Sequence, residues 1–573
     1  MATKNLDAFQ DGLMDSPRFP RLIGWFVDLT ALIGVFILVT GGLRTRHDSP
    51  LGHIDFTSYG PCFLPLAACL VWGFRPLGSR LLPQVHEYAT LFDALGARAR
   101  ARWVVATIAV ALAAHGLVVY LRYFTFQTGM DLAIYANACH GALFSTMKGD
   151  VWLFADHFEP LLLLFTPLCR TFSPAIALLT AQTIGFGVGA YGIYALALRQ
   201  GYRPALAWLC AVLYLNLAGH VTMAYYDFHL LTLTLALLPW IWWAVATERY
   251  PLLILLVVTY LGLKESAALS VAGLGTFLMI SRDRKRRAIG AGVLALGALT
   301  FVLIMKVVYP AFRAGEGTMY FSKYYGHLGS SLPEFVETAF TRPLYFAQHL
   351  LKPAKLAYLA GVFAPFLFFP LRYPLYLLPV IPAILVNILS NKPNMYSGAF
   401  HYEAEILPAL FALAVIAFRQ PRTRGVWLLV VLVGFTSPSA LATARWSVPT
   451  SAQRQLAKEL AMHVPKDLAI AAPQRIAAHL TDRDRLYMFD YWQMEDDWKR
   501  ADIVVVGFHA HWLGWYGWGT LDEIKLTRMA PGLELLFQSP TDPRFRIFKV
   551  LPSAKDVPSI ADVEATDESP AGD

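Results

Sequence analysis

The chain is 573 residues long, 56% hydrophobic and 15% charged, with a mean hydropathy of +0.47. An ordinary soluble domain carries about 25% charged residues, so a soluble protein is excluded and repeated membrane crossing is expected. The net charge of +8 comes largely from basic residues in short loops between apolar runs, a positive-inside pattern that argues for a lipid bilayer as partner and against nucleic acid.

In chain order, runs close to the ~20 apolar residues needed to cross a bilayer core predict about thirteen helices. These lie over 22-42, 58-74, 103-122, 174-198, 204-219, 229-247, 251-263, 266-281, 288-309, 353-371, 373-389, 403-418 and 425-443. The first reads as an uncleaved anchor, because no small-residue cleavage site follows it. Basic clusters at Arg75, Arg80, Arg98, Arg100 and Arg102, at Arg199 and Arg203, at Arg249, at Arg282 to Arg287, and at Arg419, Arg422 and Arg424 all fall on one side under this assignment. That side is cytoplasmic, as is the amino terminus, and the carboxyl terminus lies outside. Segment 157-172 is apolar but short and reads as an interfacial or re-entrant helix.

Polar loops 123-157 and 310-352 and everything after about 445 are then external. The expected organisation is an amino-terminal extension with two helices (1-100), a transmembrane core (101-445), a small external α/β domain (446-552) and a disordered tail (553-573). The α/β expectation rests on alternating helix-like and strand-like stretches from Ala452 to Val550. Five cysteines, Cys62, Cys69, Cys139, Cys169 and Cys210, show no metal-ligand spacing and suggest no disulfide framework.

Chemistry is sought where ionisable residues meet the apolar runs. Asp131 stands just beyond the third helix, ahead of an amphipathic stretch with Leu132, Tyr135 and Cys139. A carboxylate there can take a proton from an attacking hydroxyl; it is also a favoured cap for the helix that follows, and the two roles are compatible. Asp156 and His157 close the same loop: the imidazole can orient a phosphate or sugar, and the acid can fix its tautomer or hold a divalent cation. Solvated loop polars are the alternative. Asp227 and His229, behind two tyrosines, mark either a cavity or the interface.

Lys264 and Glu265 interrupt an apolar stretch, where an ionisable residue costs about 2.5 to 3.5 kcal/mol. They read as a cavity-facing, phosphate-receiving lysine with its partner, or as a mutually neutralising pair. His401 and Tyr402 open a later helix and either close the same pocket or anchor the interface. His509 and His511 lie among dense aromatics suited to membrane docking. There is no phosphate-binding loop, which disfavours ATP-driven transport by this chain alone.

In order, Phe-Gln-Thr-Gly-Met-Asp131-Leu-Ala-Ile-Tyr, Ala-Asp156-His157-Phe-Glu-Pro-Leu-Leu-Leu, Asp227-Phe-His229, Lys264-Glu265-Ser-Ala-Ala-Leu and Phe-His401-Tyr402-Glu-Ala-Glu-Ile-Leu-Pro resemble the bacterial membrane family called domain of unknown function 2079, over about residues 103 to 550. That family is similar in layout to the GT-C glycosyltransferases. The resemblance implies an all-α polytopic membrane protein of the inner membrane, GT-C-like, with an external α/β domain. It further implies transfer of a sugar from a polyprenyl-phosphate donor, with Asp131 at the acidic position of the first outer loop. The usual second acid is absent, since Leu132 stands there, which puts metal binding at this point in doubt. A transporter or flippase of a lipid-linked saccharide, and a non-catalytic envelope assembly factor, are the alternatives.

Overall fold

The computed structural model describes residues 46–49, 52–55, 87–147, 150–313, 323–366, 368–398, 400–418, 449–489, 496–507 and 526–559. The expected helices 22-42, 58-74 and 425-443, the His509/His511 stretch and 560-573 of the tail lie outside them; the start of the tail is ordered instead, with a 3-10 turn at Pro552–Asp556.

Three described helices are long and apolar enough to cross a membrane: α1 (Ala97–Phe124), α4 (Pro174–Arg199), and the 29-residue rod Arg284–Phe312, whose first part is α10 (Arg284–Leu303). Between them lie α2 (Met130–His140), α3 (Thr166–Thr171), α5 (Pro204–Asn216), α6 (Ala218–Tyr225), α7 (Thr234–Ala246), α8 (Tyr250–Leu261) and α9 (Ala267–Met279). After the rod come α11 (Leu332–Thr341), α12 (Pro343–Leu350), α13 (Pro353–Phe363), α14 (Ile381–Leu389), α15 (Leu407–Ala417) and α16 (Ser451–His463).

Thirteen full spans are therefore not seen among the described residues. Proline is one reason. Over 353–389 the sequence is apolar enough to span twice, but Pro365, Pro370, Pro374, Pro379 and Pro382 each lack an amide hydrogen and clash with a preceding turn. The chain answers with 3-10 turns at Ala364–Phe366, Phe369–Arg372 and Pro374–Leu377 between two short helices. Segment 160–171 is likewise short, a 3-10 turn at Pro160–Phe165 running into α3.

Helix α9 packs on α10 through small residues, as membrane helices do where backbones approach closely. A Cβ on Gly290 would lie 2.7 Å from the Met279 amide nitrogen, and one on Gly297 2.7 Å from the Ala268 carbonyl oxygen. Gly292, on the same helix, has nothing within 4 Å. Gly297→Leu is expected to cost about 1–3 kcal/mol by overpacking, read as a lower melting temperature in detergent, whereas Gly292→Leu should be tolerated.

Basic residues gather at one end of this bundle. Arg199, ending α4, donates to the Ala246 carbonyl that ends α7, at 3.2 Å, and Lys285, opening α10, lies 5.4 Å from the Tyr250 ring that opens α8. Arg203 pairs with Asp93 at 2.7 Å.

At the other end sits a five-stranded sheet of β1 (Ile470–Ala472), β2 (Leu486–Met488), β3 (Ile503–Val506), β4 (Leu533–Gln538) and β5 (Arg546–Val550), in the order β2-β1-β3-β5-β4. β1 runs parallel to β2 and β3, and β5 is antiparallel to β3 and β4. Strands buried on both faces need uninterrupted apolar runs, and Ile503-Val-Val-Val506 supplies one. Ile470, Leu486, Ile503 and Val505 continue the helical core, while Ala471, Tyr487, Val504 and Val506 share a second core with Trp498.

The sheet region covers α2. Asn137 Nδ2 donates to the Arg483 carbonyl at 3.0 Å, and Thr146 Oγ1 both donates to the Leu486 carbonyl, at 2.7 Å, and accepts its amide hydrogen, at 2.8 Å. Thr450 and Gln453 form a capping box on α16, and Gln453 Nε2 also donates to the Thr125 carbonyl beyond α1 at 3.0 Å. Two expectations change here. The stretch after Asp131 is no amphipathic surface segment, because Leu132 through Cys139 are all buried under this cover. Cys139 also forms a disulfide with Cys169 of α3, with Cα atoms 6.0 Å apart. Spacing cannot reveal such a bond; it needs α2 and α3 side by side. The two cysteines are 30 residues apart, and closing a loop of that length is worth about 3–4 kcal/mol. The Cys139→Ser/Cys169→Ser protein should melt lower by a corresponding amount, and in the unreduced wild type alkylating reagent should label neither residue.

Candidate functional site

Five segments converge away from the basic end: 129–135 on and before α2, 156–161, 225–229 after α6, the turn 262–266 between α8 and α9, and 401–405 before α15. Each is short and irregular because glycine, proline or a helix end interrupts it. Backbone bonds lock two together, with Leu161 N–H donating to the Gly262 carbonyl at 3.0 Å.

Asp131 lies in the first turn of α2, and the cap role falls elsewhere: Gly129 is the N-cap, and its amide hydrogen goes to Asp227 Oδ2 at 2.9 Å. Asp131 Oδ2 accepts instead from Tyr226 Oη, at 3.1 Å. Burial, and next the charge of Asp131, push the Asp227 carboxyl up to about 6, against the pull of the Gly129 amide, Arg122 and Arg475.

The Tyr226 ring lies 5.6 Å from His401, which stacks on His229 at 3.8 Å. Leu231 N–H donates to His229 Nδ1, at 3.3 Å, which assigns the imidazole proton to Nε2. That nitrogen is 2.9 Å from Tyr135 Oη, and Tyr135 donates in turn to Glu159 Oε1 at 2.8 Å. Burial above all holds Glu159 up to about 7, with His157 and Lys264 opposing it.

His157 Nδ1 meets Glu265 Oε1 at 3.0 Å, and Phe158 N–H takes the other oxygen at 3.1 Å. Glu265 therefore neutralises His157 rather than its neighbour in sequence. Burial and Lys264 lower the His157 pKa, but Asp156, Glu265 and the Glu265 hydrogen bond together outweigh them and raise it. Asp156 is buried beside His157, and its carbonyl accepts from Arg313 at 3.3 Å.

Lys264 lies within electrostatic reach of His157, Glu159, Glu265, Glu405 and His401. Among the described residues its half-buried ammonium has no hydrogen-bond or ion-pair partner. The turn that carries it is pinned by Glu405, which accepts from Tyr260 Oη and Ser266 Oγ, both at 2.6 Å, and from Ser270 Oγ at 3.2 Å. Tyr402 is within electrostatic reach of Asp131, and its carbonyl takes a bond from Asn387 at 3.0 Å.

All nine candidates named from the sequence thus lie at this end of the molecule. Tyr135, Glu159, Tyr226 and Glu405 were missed. Glu159 was detectable as an acid abutting Pro160-Leu-Leu-Leu-Leu; the tyrosines passed for interfacial residues. Among the described residues no three His, Cys, Asp or Glu side chains are grouped to hold a metal ion.

The model of one family, described as "Predicted membrane protein (DUF2079)", matches residues 91–514. The chain belongs to that family. No curated protein matches it. Among solved structures, this DUF2079 chain is similar to crystal structures of the Archaeoglobus fulgidus oligosaccharyltransferase. The complex with Zn and sulfate is 14% identical, with TM-score 0.38, covering 78% of this chain and 74% of that one. The form tethered with an acceptor peptide containing the NVT sequon via a disulfide bond is 11% identical, with TM-score 0.36 and coverage of 79% and 74%. The apo form is 11% identical, with TM-score 0.36 and coverage of 66% and 64%. Scores this low carry no argument about fold or activity.

Proposed function

We propose that the chain is a membrane glycosyltransferase that moves a sugar from a polyprenyl-phosphate donor to an acceptor hydroxyl, on the face of the bilayer opposite its basic end. By the positive-inside rule that face is the outer one. The carrying observation is the convergence of Asp131, the His229–His401 stack, the His157–Glu265 pair and the half-buried Lys264 on one end of an apolar bundle.

In the reaction, the acceptor oxygen bonds to the anomeric carbon and gives its proton to Asp131. The bond from that carbon to the phosphate oxygen breaks, and both electrons leave with the lipid phosphate. Both acids are held in place, Asp131 by the Tyr226 hydroxyl and Asp227 by the Gly129 amide, and the base role is assigned to Asp131 for its place in the first outer loop. Lys264 meets the phosphate charge from a fixed turn, so little reorganisation is needed as that charge grows. No step requires a metal.

Full-length protein in nanodiscs, given a radiolabelled polyprenyl-phosphate sugar and candidate acceptors, should release polyprenyl phosphate. Movement of intact donor across the bilayer without release would favour a flippase. The broken hairpin of α8 and α9, with charged residues in its turn, gives that second reading its support, since transporters build substrate sites from discontinuous helices.

A further inference from the structure

The loop between the Arg284–Phe312 rod and α13 gathers four basic side chains that the proposed reaction leaves unused. The rings of His327 and His349 lie 4.8 Å apart. Lys352 is the N-cap of α13, and Lys355 stands in its first turn. Lys355 is only 1% exposed, with its ammonium 5.2 Å from the Tyr396 ring centroid. Among the described residues it has no hydrogen bond and no ion pair. Both ring nitrogens of His327 are buried without a hydrogen-bond partner there.

The framework around them is well tied. Tyr345 Oη donates to the His327 carbonyl at 2.9 Å, and His349 Nδ1 donates to the Tyr345 carbonyl at 3.1 Å. What the cluster lacks, among the described residues, is a negative counter-charge. Glu334, the acid in the first turn of α11, is occupied by Ser330 at 2.6 Å. Burial first, and then His349, Lys355 and Lys352, hold His327 down to about 4, so every charge that shifts it is positive. Two lysines at a helix amino terminus also oppose the helix dipole, and a buried ammonium without a counter-charge is costly. One anion at that terminus would answer both penalties; Pro353 has no amide hydrogen and those of Lys355 and Leu356 bond the Lys352 carbonyl, so the lysine and histidine side chains rather than a row of free amides would hold it.

We propose that Lys352 and Lys355, with His327 and His349, form a second anion site at the amino terminus of α13 that binds a phosphate ester. Exposed apolar residues on the flanking helices, Phe340 at 82% and Leu344 at 72%, favour a phosphate carried by a lipid over a free one. The site shares no residue with the Lys264 group, and its test reads binding, so it stands whether or not the chain transfers sugar.

Full-length protein in detergent is titrated with dihexanoyl phosphatidic acid, inorganic phosphate and uncharged dihexanoylglycerol, following the melting temperature. The expected result is a saturable rise with phosphatidic acid and none with the diacylglycerol, and at least about a tenfold loss of affinity in Lys352→Gln/Lys355→Met. An equal response to inorganic phosphate supports the site and identifies free phosphate as a source. Should removal of the buried lysine prevent folding, Lys352→Gln/His349→Gln carries the comparison. Absence of a saturable shift with either phosphate compound, or unchanged affinity in the variants, overturns the proposal.

Discussion

Asp131→Asn is expected to slow polyprenyl-phosphate release by about 10²–10⁴-fold, the usual contribution of a positioned general base, with donor affinity and melting temperature nearly unchanged. Asparagine keeps the side-chain volume and can still accept the Tyr226 hydrogen bond, so the fold around α2 has no reason to move. What it removes is the proton acceptor. Asp227→Asn serves as the contrast, since its amide oxygen can still take the Gly129 hydrogen, and its loss of rate should be smaller. Equal, full activity in the Asp131 variant would remove that residue from the reaction.

The second large effect belongs to the His157–Glu265 pair. Glu265→Gln should cost on the order of 2 kcal/mol, as expected for a hydrogen bond to a charged group, and should change how stability depends on pH. The raised pKa of His157 in the folded protein means its stabilising contribution is fully present below the unfolded value, about 6.5. That contribution disappears as pH rises through the higher folded value. Glu159, held up to about 7, also loses stability as pH rises. The informative quantity is therefore the difference between wild type and variant: melting curves from about pH 5 to 9 should converge at the alkaline end. Parallel curves would show that the pair does not titrate with folding.

Much of this was legible in the sequence for a definite reason. Ionisable residues embedded in apolar runs are expensive, so Asp131, Asp227, Lys264 and His401 announced themselves one at a time. The strand pattern from Leu468 onward could be read too, because Ile503-Val-Val-Val506 fits a buried strand and the surrounding stretches alternate helix and strand character. Partnership was what remained hidden. Nothing in Lys264-Glu265 says that the acid turns to His157, 108 residues away, or that Asp227 rather than Asp131 serves the α2 amide. Cys139 and Cys169 pair only because the fold lays α2 along α3. The shortness of the described helices over 353–389 was hidden for another reason: apolar composition measures what lipid tolerates, while proline decides whether a helix can run through it.

The hairpin of α8 and α9 has 12 and 13 residues in its arms, so at 1.5 Å per residue it rises only about 18–20 Å. A bilayer core is about 30 Å thick. If the hairpin starts at the basic end, Lys264 stops about 10 Å beneath the far headgroup plane. In the proposed reaction a lipid phosphate would have to sink out of its own layer to reach it, or the membrane would have to thin locally around the protein. If the proposed transfer is what the chain does, acyl-chain length in the host bilayer would throttle it, acting through depth alone, with every protein contact unchanged.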